Sequence, residues 1–369
     1  MNPTAKYSKI TIIGGGICGL SVAFALHIRG YHNIHLLEAH NWPNALGSSH
    51  SHSRITRSAY SSPFYVSLMK EAHEKYWPLL SQHLKKKLLH PCPGIFFGPH
   101  TGLIQSYADA VRAVDAHVEP ITITAAREQF PQFFFHQDDL VLLDHTAGVL
   151  AAEDTILGLV AYLKEKGVSI YEKTPITHID NEENPHTHQG VFPTDVLISC
   201  AGPWTPKLFP ILSTQLLPMR QRVFYMKARK GWKIGIPDFP VWVEVGHTLA
   251  ENWYGLPEFG STGFKLARHR LTGDIDDPDA TPIILEEHRS EAIEKALSRF
   301  PCTEGFIEKE EHCIYTMRQN EDYLIDRISS KTIVASGFSG HGFKLAPLCG
   351  DRIVDIMEGK DTLLPFRIS

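Results

Sequence analysis

Near the start of this chain, three sets of residues are spaced for chemistry. Gly14, Gly16 and Gly19 form a GxGxxG turn, and Glu38 follows roughly 20 residues further on. At that spacing Gly14 permits a tight turn, Gly16 lets a pyrophosphate approach the backbone, and Gly19 lets a helix pack closely on a strand. Glu38 is placed to accept from ribose hydroxyls and disfavours a 2′-phosphate, so FAD or NAD is expected over NADP. Arg54 and Arg57 lie three apart. Read as a helical turn, that spacing puts both guanidinia on one side as an anion site, the alternative being two solvated charges. His50 and His52 belong to an HSH run without a third ligand at matching spacing, so no metal is expected.

The elements that must position these residues follow from pattern. The β-branched run Ile10 to Ile13 fits a buried parallel strand, and Leu20, Val22, Ala23, Ala25 and Leu26 fit a helix ended by Gly30. Ile34 to Leu37 supplies the second strand of a βαβ unit that closes on Glu38. The segment from Asn41 to Tyr60 reads as a polar loop. Ser62 to Leu80 reads as a helix stopped near Pro78. Leu140 to Leu143, Val168 to Tyr171 with Ile176 behind it, Asp195 to Gly202 and Thr332 to Ala335 read as further strands of the nucleotide sheet, and Asp154 to Lys166 as a helix. His186 and His188 suit a hairpin tip, and Cys200 a buried, inert thiol. Short, proline-punctuated strands from His90 to about Phe135, and again from Leu216 to about Ile307, suggest a second domain with an antiparallel sheet visited twice. That stretch carries a loop at Asp274 to Pro282 and a helix at Glu286 to Phe300. The fold class is therefore α/β. A discontinuous Rossmann-type domain (1–88, 140–215 and 308–369) is joined to a substrate domain (89–139 and 216–307).

Composition narrows the partners. With 369 residues the chain can bury two cores, and 43% hydrophobic with 21% charged residues is ordinary for a globular protein. A net charge of −5 leaves no basic footprint for nucleic acid. No apolar run reaches membrane-spanning length, and the N-terminal residues show no signal-peptide core. The six cysteines are scattered without disulfide-like spacing, so a cytoplasmic setting is expected.

A second glycine-rich turn, GFSGHGFK from Gly337 to Lys344, leads into a helix through Leu345 to Met357. It reads either as an ordinary crossover or as a turn that aims a helix dipole at a flavin. A nicotinamide has no evident use for it, whereas a reduced flavin carries negative charge at its pyrimidine edge. With GGGICG, SHSRITRSAY, CAGPWT, WYGLP, GFKLARH and CIYT added, the chain resembles, over nearly its full length, the monomeric sarcosine oxidase family of FAD enzymes. That family includes N-methyltryptophan oxidase and pipecolate oxidase and lies within the D-amino-acid oxidase superfamily.

The resemblance implies that Cys313 carries the flavin through a thioether to its 8α-methyl carbon. It implies that Arg57 and Lys344 bind a substrate carboxylate, that Arg54 sits against the flavin ring, and that Lys265 promotes reaction with oxygen near flavin N5. His269, Tyr254 and Tyr315 would line the substrate cavity. Ser48, His50, Gly340, His341 and Gly342 would join Gly14, Gly16, Gly19, Glu38, Arg54 and Lys344 around the cofactor. The chain departs from the family pattern at Ser51, where His-Gly is usual, and at Met317 and Arg318 after CIYT.

The activity expected from this resemblance is oxidation of the CH–NH bond of a small secondary or cyclic amino acid, with O2 as acceptor and hydrogen peroxide as product. The family favours a monomer. One alternative is a dehydrogenase that passes electrons to another acceptor, which stopped-flow reoxidation in air-saturated buffer separates from an oxidase. The other is a non-catalytic nucleotide-binding protein, which would purify colourless.

Overall fold

Ile10, Thr11, Ile12 and Ile13 are almost wholly buried, as a central parallel strand covered on both faces requires. The strand Ile10–Ile13 lies between the parallel strands Ile34–Leu37 and Val196–Ser199. Thr332–Ser336 and Leu324–Arg327 extend the sheet on one side and Ser169–Tyr171 on the other. The computed structural model describes residues 5–269, 277–283, 285–360 and 364–367. Of the loop expected at Asp274 to Pro282, residues 274–276 lie outside this set. No helix among the described residues is long and apolar enough to cross a membrane.

Two close backbone approaches shape this half. Gly14 has φ +96°, and a Cβ on Gly19 would stand 1.9 Å from the Gly14 carbonyl oxygen, so the first helix, Ile17–Ile28, meets the end of its strand through glycine alone. At the other end of the chain, the helix Ala346–Met357 packs on that first helix, where a Cβ on Gly350 would come within 2.6 Å of the Ser21 backbone.

The second half is an eight-stranded sheet, antiparallel except where Val241–Glu244 runs parallel to Gly94–Pro99. Its longest strands, Leu217–Ala228 and Thr303–Met317, pair over most of their length. Side chains alternate across such a sheet. Phe224, Met226, Phe264 and Leu266 join the apolar core that also holds Ala292 and Ala296 of the helix Glu286–Arg299. The residues between them, Tyr225 and Lys265, sit opposite one another on the other face.

Four expectations are corrected here. Asp139–Asp144, which contains the strand read at Leu140 to Leu143, pairs with Gly94–Pro99 in the eight-stranded sheet and not in the nucleotide sheet. The strand that carries Cys313 belongs to that sheet as well, although it was read within the 308–369 segment of the nucleotide domain. Ile176 starts a separate three-stranded sheet with Pro185–Thr187 and Gly190–Val191. Finally, helical structure continues past Pro78 to Leu84. A π turn over Ala72–Tyr76, in which the Trp77 amide reaches back to the Ala72 carbonyl, widens the helix just before the proline.

Gly19→Ala is expected to destabilise the fold by about 1–3 kcal/mol, because the added methyl meets backbone that cannot rotate away. A fall in the urea midpoint at unchanged m value checks it.

Candidate active site

A cavity of about 610 Å³ runs from the first glycine turn to the inner face of the eight-stranded sheet. At one end it is walled by Gly14, Gly16 and Glu38. The Glu38 carboxylate accepts from the Gly15 amide at 2.7 Å and the His40 amide at 3.0 Å. The Trp42 indole donates to the Gly15 carbonyl at 2.9 Å. The first helix has no side-chain cap of its own, and the Ile17 amide is met instead by Ser49 Oγ at 3.0 Å. Gly19 does not line the cavity; it holds helix to strand.

The segment read as a polar loop contains a strand, Ser53–Thr56, paired with Gly148–Ala151. The expected helical relation of Arg54 and Arg57 is therefore wrong. In extended chain, residues three apart face opposite ways. Arg54 turns to the cavity and donates to the carbonyls of Ser48 (2.8 Å) and Ser53 (2.9 Å). Arg57 turns away from the cavity and lies 4.1 Å from the centre of the Tyr60 ring. His50 also faces the cavity; its Nε2 is buried without a partner, and burial followed by the charge of Arg54 pushes the imidazole down to about 4. His52 pairs with Glu153 at 2.7 Å. Among the described residues no group of three His, Cys, Asp or Glu could hold a metal ion.

The other end is built by alternation along the sheet. Cys313 and Tyr315 lie on one face of the long strand, and Lys265 and Tyr254 present to the same cavity from neighbouring strands. The Cys313 thiol is buried, which pushes its pKa up, and it donates to the Ser48 carbonyl at 3.9 Å. Ser48 in turn donates to the Ile314 carbonyl. Tyr254 and Tyr315 share a hydrogen bond of 2.8 Å. His269 lies beside Tyr315, with ring centroids 5.8 Å apart, and is fixed by Glu321 at 2.7 Å. Lys265 is 4% exposed. Burial, then the positive charge of Arg54, lowers its pKa to about 7.

Lys344 follows the second glycine turn, whose Gly340 and Gly342 line the cavity. At Gly340, with φ +80°, a Cβ would strike the Tyr315 ring at 2.4 Å. The Lys344 ammonium lies 5.5 Å from the Tyr60 ring centre, against the same ring as Arg57, so the structure brings these two cations together. Burial and the charge of Arg57 push the Lys344 pKa well down. His341 is held by the hydroxyls of Tyr60 (3.2 Å) and Tyr323 (3.1 Å) and by the Glu321 carbonyl (2.8 Å). Neither Arg57, His269, His341 nor Lys344 lines the cavity itself. Arg318 ties the turn after the long strand to its surroundings by donating to the carbonyls of Tyr323 and Arg367, both at 2.6 Å.

Sequence reasoning missed Trp42, Tyr60, Tyr225, Glu311 and Glu321, and noted Ser51 only as a departure from the family pattern. Tyr60 was quotable as part of SHSRITRSAY, but its role between two cations depends on packing. Tyr225 reaches the site only through its register opposite Lys265.

A βαβ glycine turn with an acid at the second strand, and a cation-rich chamber behind it, is the arrangement of a dinucleotide-dependent oxidoreductase. The chain belongs to the family described as FAD dependent oxidoreductase, whose model matches residues 9–356. It is similar to N-methyl-L-tryptophan oxidase of Yersinia pestis (strain Pestoides F), with 27% identity over 98% of this chain and 97% of that one. Among solved structures it is similar to NikD, an unusual amino acid oxidase essential for nikkomycin biosynthesis (TM-score 0.83, 18% identity, 98% of both chains). It is also similar to fructosamine oxidase (Amadoriase II) of Aspergillus fumigatus (TM-score 0.80, 20% identity, 99% of this chain and 90% of that one). The residues present fit FAD: the glycine turn and Glu38 suit the adenosine and pyrophosphate, and the unpartnered His50 Nε2 and the lining Arg54 suit the flavin end.

Lys265 also makes stability depend on pH. It is half-protonated near pH 7 in the folded chain but only near pH 10.4 when unfolded. Between those values the unfolded state binds more protons, so this residue's contribution rises with pH. In the cofactor-free protein, Lys265→Met is therefore expected to exceed wild type in urea midpoint most clearly below pH 7, the gap narrowing toward pH 10.

Proposed function

We propose that the protein oxidises the CH–NH bond of a small secondary or cyclic amino acid to the imine, with O2 as final acceptor and hydrogen peroxide as product. One observation carries the amino-acid part of this reading. Arg57 and Lys344 are two basic side chains packed on one ring, and among the described residues neither has an acid within ion-pair distance; one guanidinium nitrogen of Arg57 is buried with no partner. Buried charge without compensation is costly, and a carboxylate between the two would offset it. That the similar Yersinia protein is named for an N-methylated amino acid supports the choice of a secondary amine.

FAD, when bound, supplies the two-electron oxidation. The chain supplies binding, orientation and charge. Arg57 and Lys344 grip the carboxylate and so fix which C–H faces the cofactor. Tyr254 and Tyr315, joined through their hydroxyls, bound the space left for the amine, and His269, braced by Glu321, packs beside Tyr315. Their burial favours an unprotonated amine over an ammonium in that space. Lys265 presents a fixed cation for the charge that develops on oxygen. The Cys313 thiol is the group proposed to tether the flavin.

Two measurements test this. After acid denaturation the yellow chromophore is expected to stay with the wild-type polypeptide and to leave the Cys313→Ser variant; complete release from wild type overturns the covalent assignment. Arg57→Met and Lys344→Met are each expected to raise KM for a carboxylated secondary amine roughly 30-fold or more, about 2 kcal/mol, with FAD content unchanged. An unchanged KM in both variants overturns the carboxylate site.

A further inference from the structure

Ser51 is a strained residue with a specific contact set. It has φ +83°, in the left-handed region where a side chain costs about 1 kcal/mol or more and glycine costs almost nothing. It is also the position where the family resemblance leads one to expect glycine. The hydroxyl kept at that expense has two partners, Lys265 Nζ at 3.1 Å and the Tyr225 hydroxyl at 3.1 Å. Tyr225 then donates to Glu311 Oε2 at 2.9 Å, and Glu311 Oε1 meets Lys309 Nζ at 2.7 Å, a side chain 42% exposed to solvent. A continuous hydrogen-bonded path thus leads from the buried ammonium to the surface.

The polarity of the path is determined by its ends. Lysine can only donate and an ionised carboxylate can only accept. Tyr225 therefore gives its proton to Glu311 and accepts from Ser51, and Ser51 accepts from Lys265. Although burial opposes it, the hydrogen bond from Lys309, the charge of Lys265 and the Tyr225 hydroxyl hold Glu311 down at about 2, so the accepting end is ionised.

We infer that Ser51, Tyr225 and Glu311 form a proton conduit through which Lys265, at the cavity wall, exchanges its proton with solvent along the sheet. In one passage the Lys265 N–H bond breaks as a Ser51 O–H bond forms. The former Ser51 proton passes to Tyr225, and the former Tyr225 proton passes to Glu311. An ammonium and a carboxylate become an amine and a carboxylic acid, with no change in total charge, and Glu311 then releases its proton beside Lys309. Rotation of the two hydroxyls allows the reverse passage. Besides the conduit, Lys265 is faced by Arg54, Cys313 and His50, and none of these three hydrogen-bonds its ammonium. The Ser53 carbonyl, 3.2 Å away, accepts from Lys265 but has no proton to pass on. The inference rests on the reading of Lys265 as the cation that meets oxygen, because that role requires the buried lysine to be protonated when oxygen arrives.

The test follows the Lys265 ammonium directly, by ¹⁵N-lysine NMR of the full-length protein, with its signal assigned through Lys265→Met. Below the Lys265 titration midpoint, Ser51→Gly and Tyr225→Phe are each expected to slow hydrogen exchange of that ammonium with water roughly tenfold or more. Ser51→Gly, which relieves the backbone strain, is expected to leave thermal stability equal or higher. A serine retained only for structure would instead lose stability on this change and leave exchange unaltered. Wild-type exchange in both variants overturns the conduit. Wild-type reoxidation by O2 in Lys265→Met would overturn the oxygen role of Lys265 while leaving the exchange result to stand.

Discussion

The architecture depends on how closely two helices from opposite ends of the chain can approach. At Gly350 no side chain separates the last helix from the Ser21 backbone, and at Gly19 none separates the first helix from the Gly14 carbonyl. These contacts stack the two glycine turns beside the same cavity. The N-terminal turn can then serve a nucleotide while the C-terminal turn brings Gly340 and Gly342 to the same cavity. A larger residue at either crossing would separate the two halves of the site before affecting any residue that touches a ligand.

The chemistry end has a different basis, the pairing of Leu217–Ala228 with Thr303–Met317. In a sheet with period-two alternation, one register brings Glu311, Cys313 and Tyr315 to the cavity from one face of the strand. A slip of one residue would turn all three to the other face. The aromatic core under the opposite face, with Phe224, Phe264 and Leu266 packed against Phe300, holds that register. Cys313, the tyrosine pair and the acid near Lys265 are thus positioned by apolar packing on the far side of the sheet.

What could be read without coordinates was what is local. The glycine turn and Glu38 fall within one βαβ unit, where spacing along the chain determines spacing in space. Glu286 to Phe300 was legible as a helix for the same reason. The relation of Arg54 to Arg57 was misread because a three-residue spacing says nothing until helix or strand is known, and pairing with Gly148–Ala151 decided for strand. Leu140 to Leu143 was a clear strand, but a short apolar run does not specify its sheet. Ser51, Tyr225 and Glu311 could not be connected from sequence, since they meet only through non-local register and a left-handed backbone at Ser51. For Cys313 and Lys265 only the family resemblance pointed to the cavity they line, because their place there depends on strand register.

The two cations on the Tyr60 ring have a consequence outside catalysis. Like charges buried side by side weaken the fold that holds them, and an anion that settles between them returns that stability. Folding and occupancy are then thermodynamically linked: each tenfold rise of free anion above its dissociation constant adds about 1.4 kcal/mol. With the carboxylate site proposed above, the anion-free chain is the more fragile form, and its lifetime against unfolding and proteolysis lengthens when a carboxylate occupies the site.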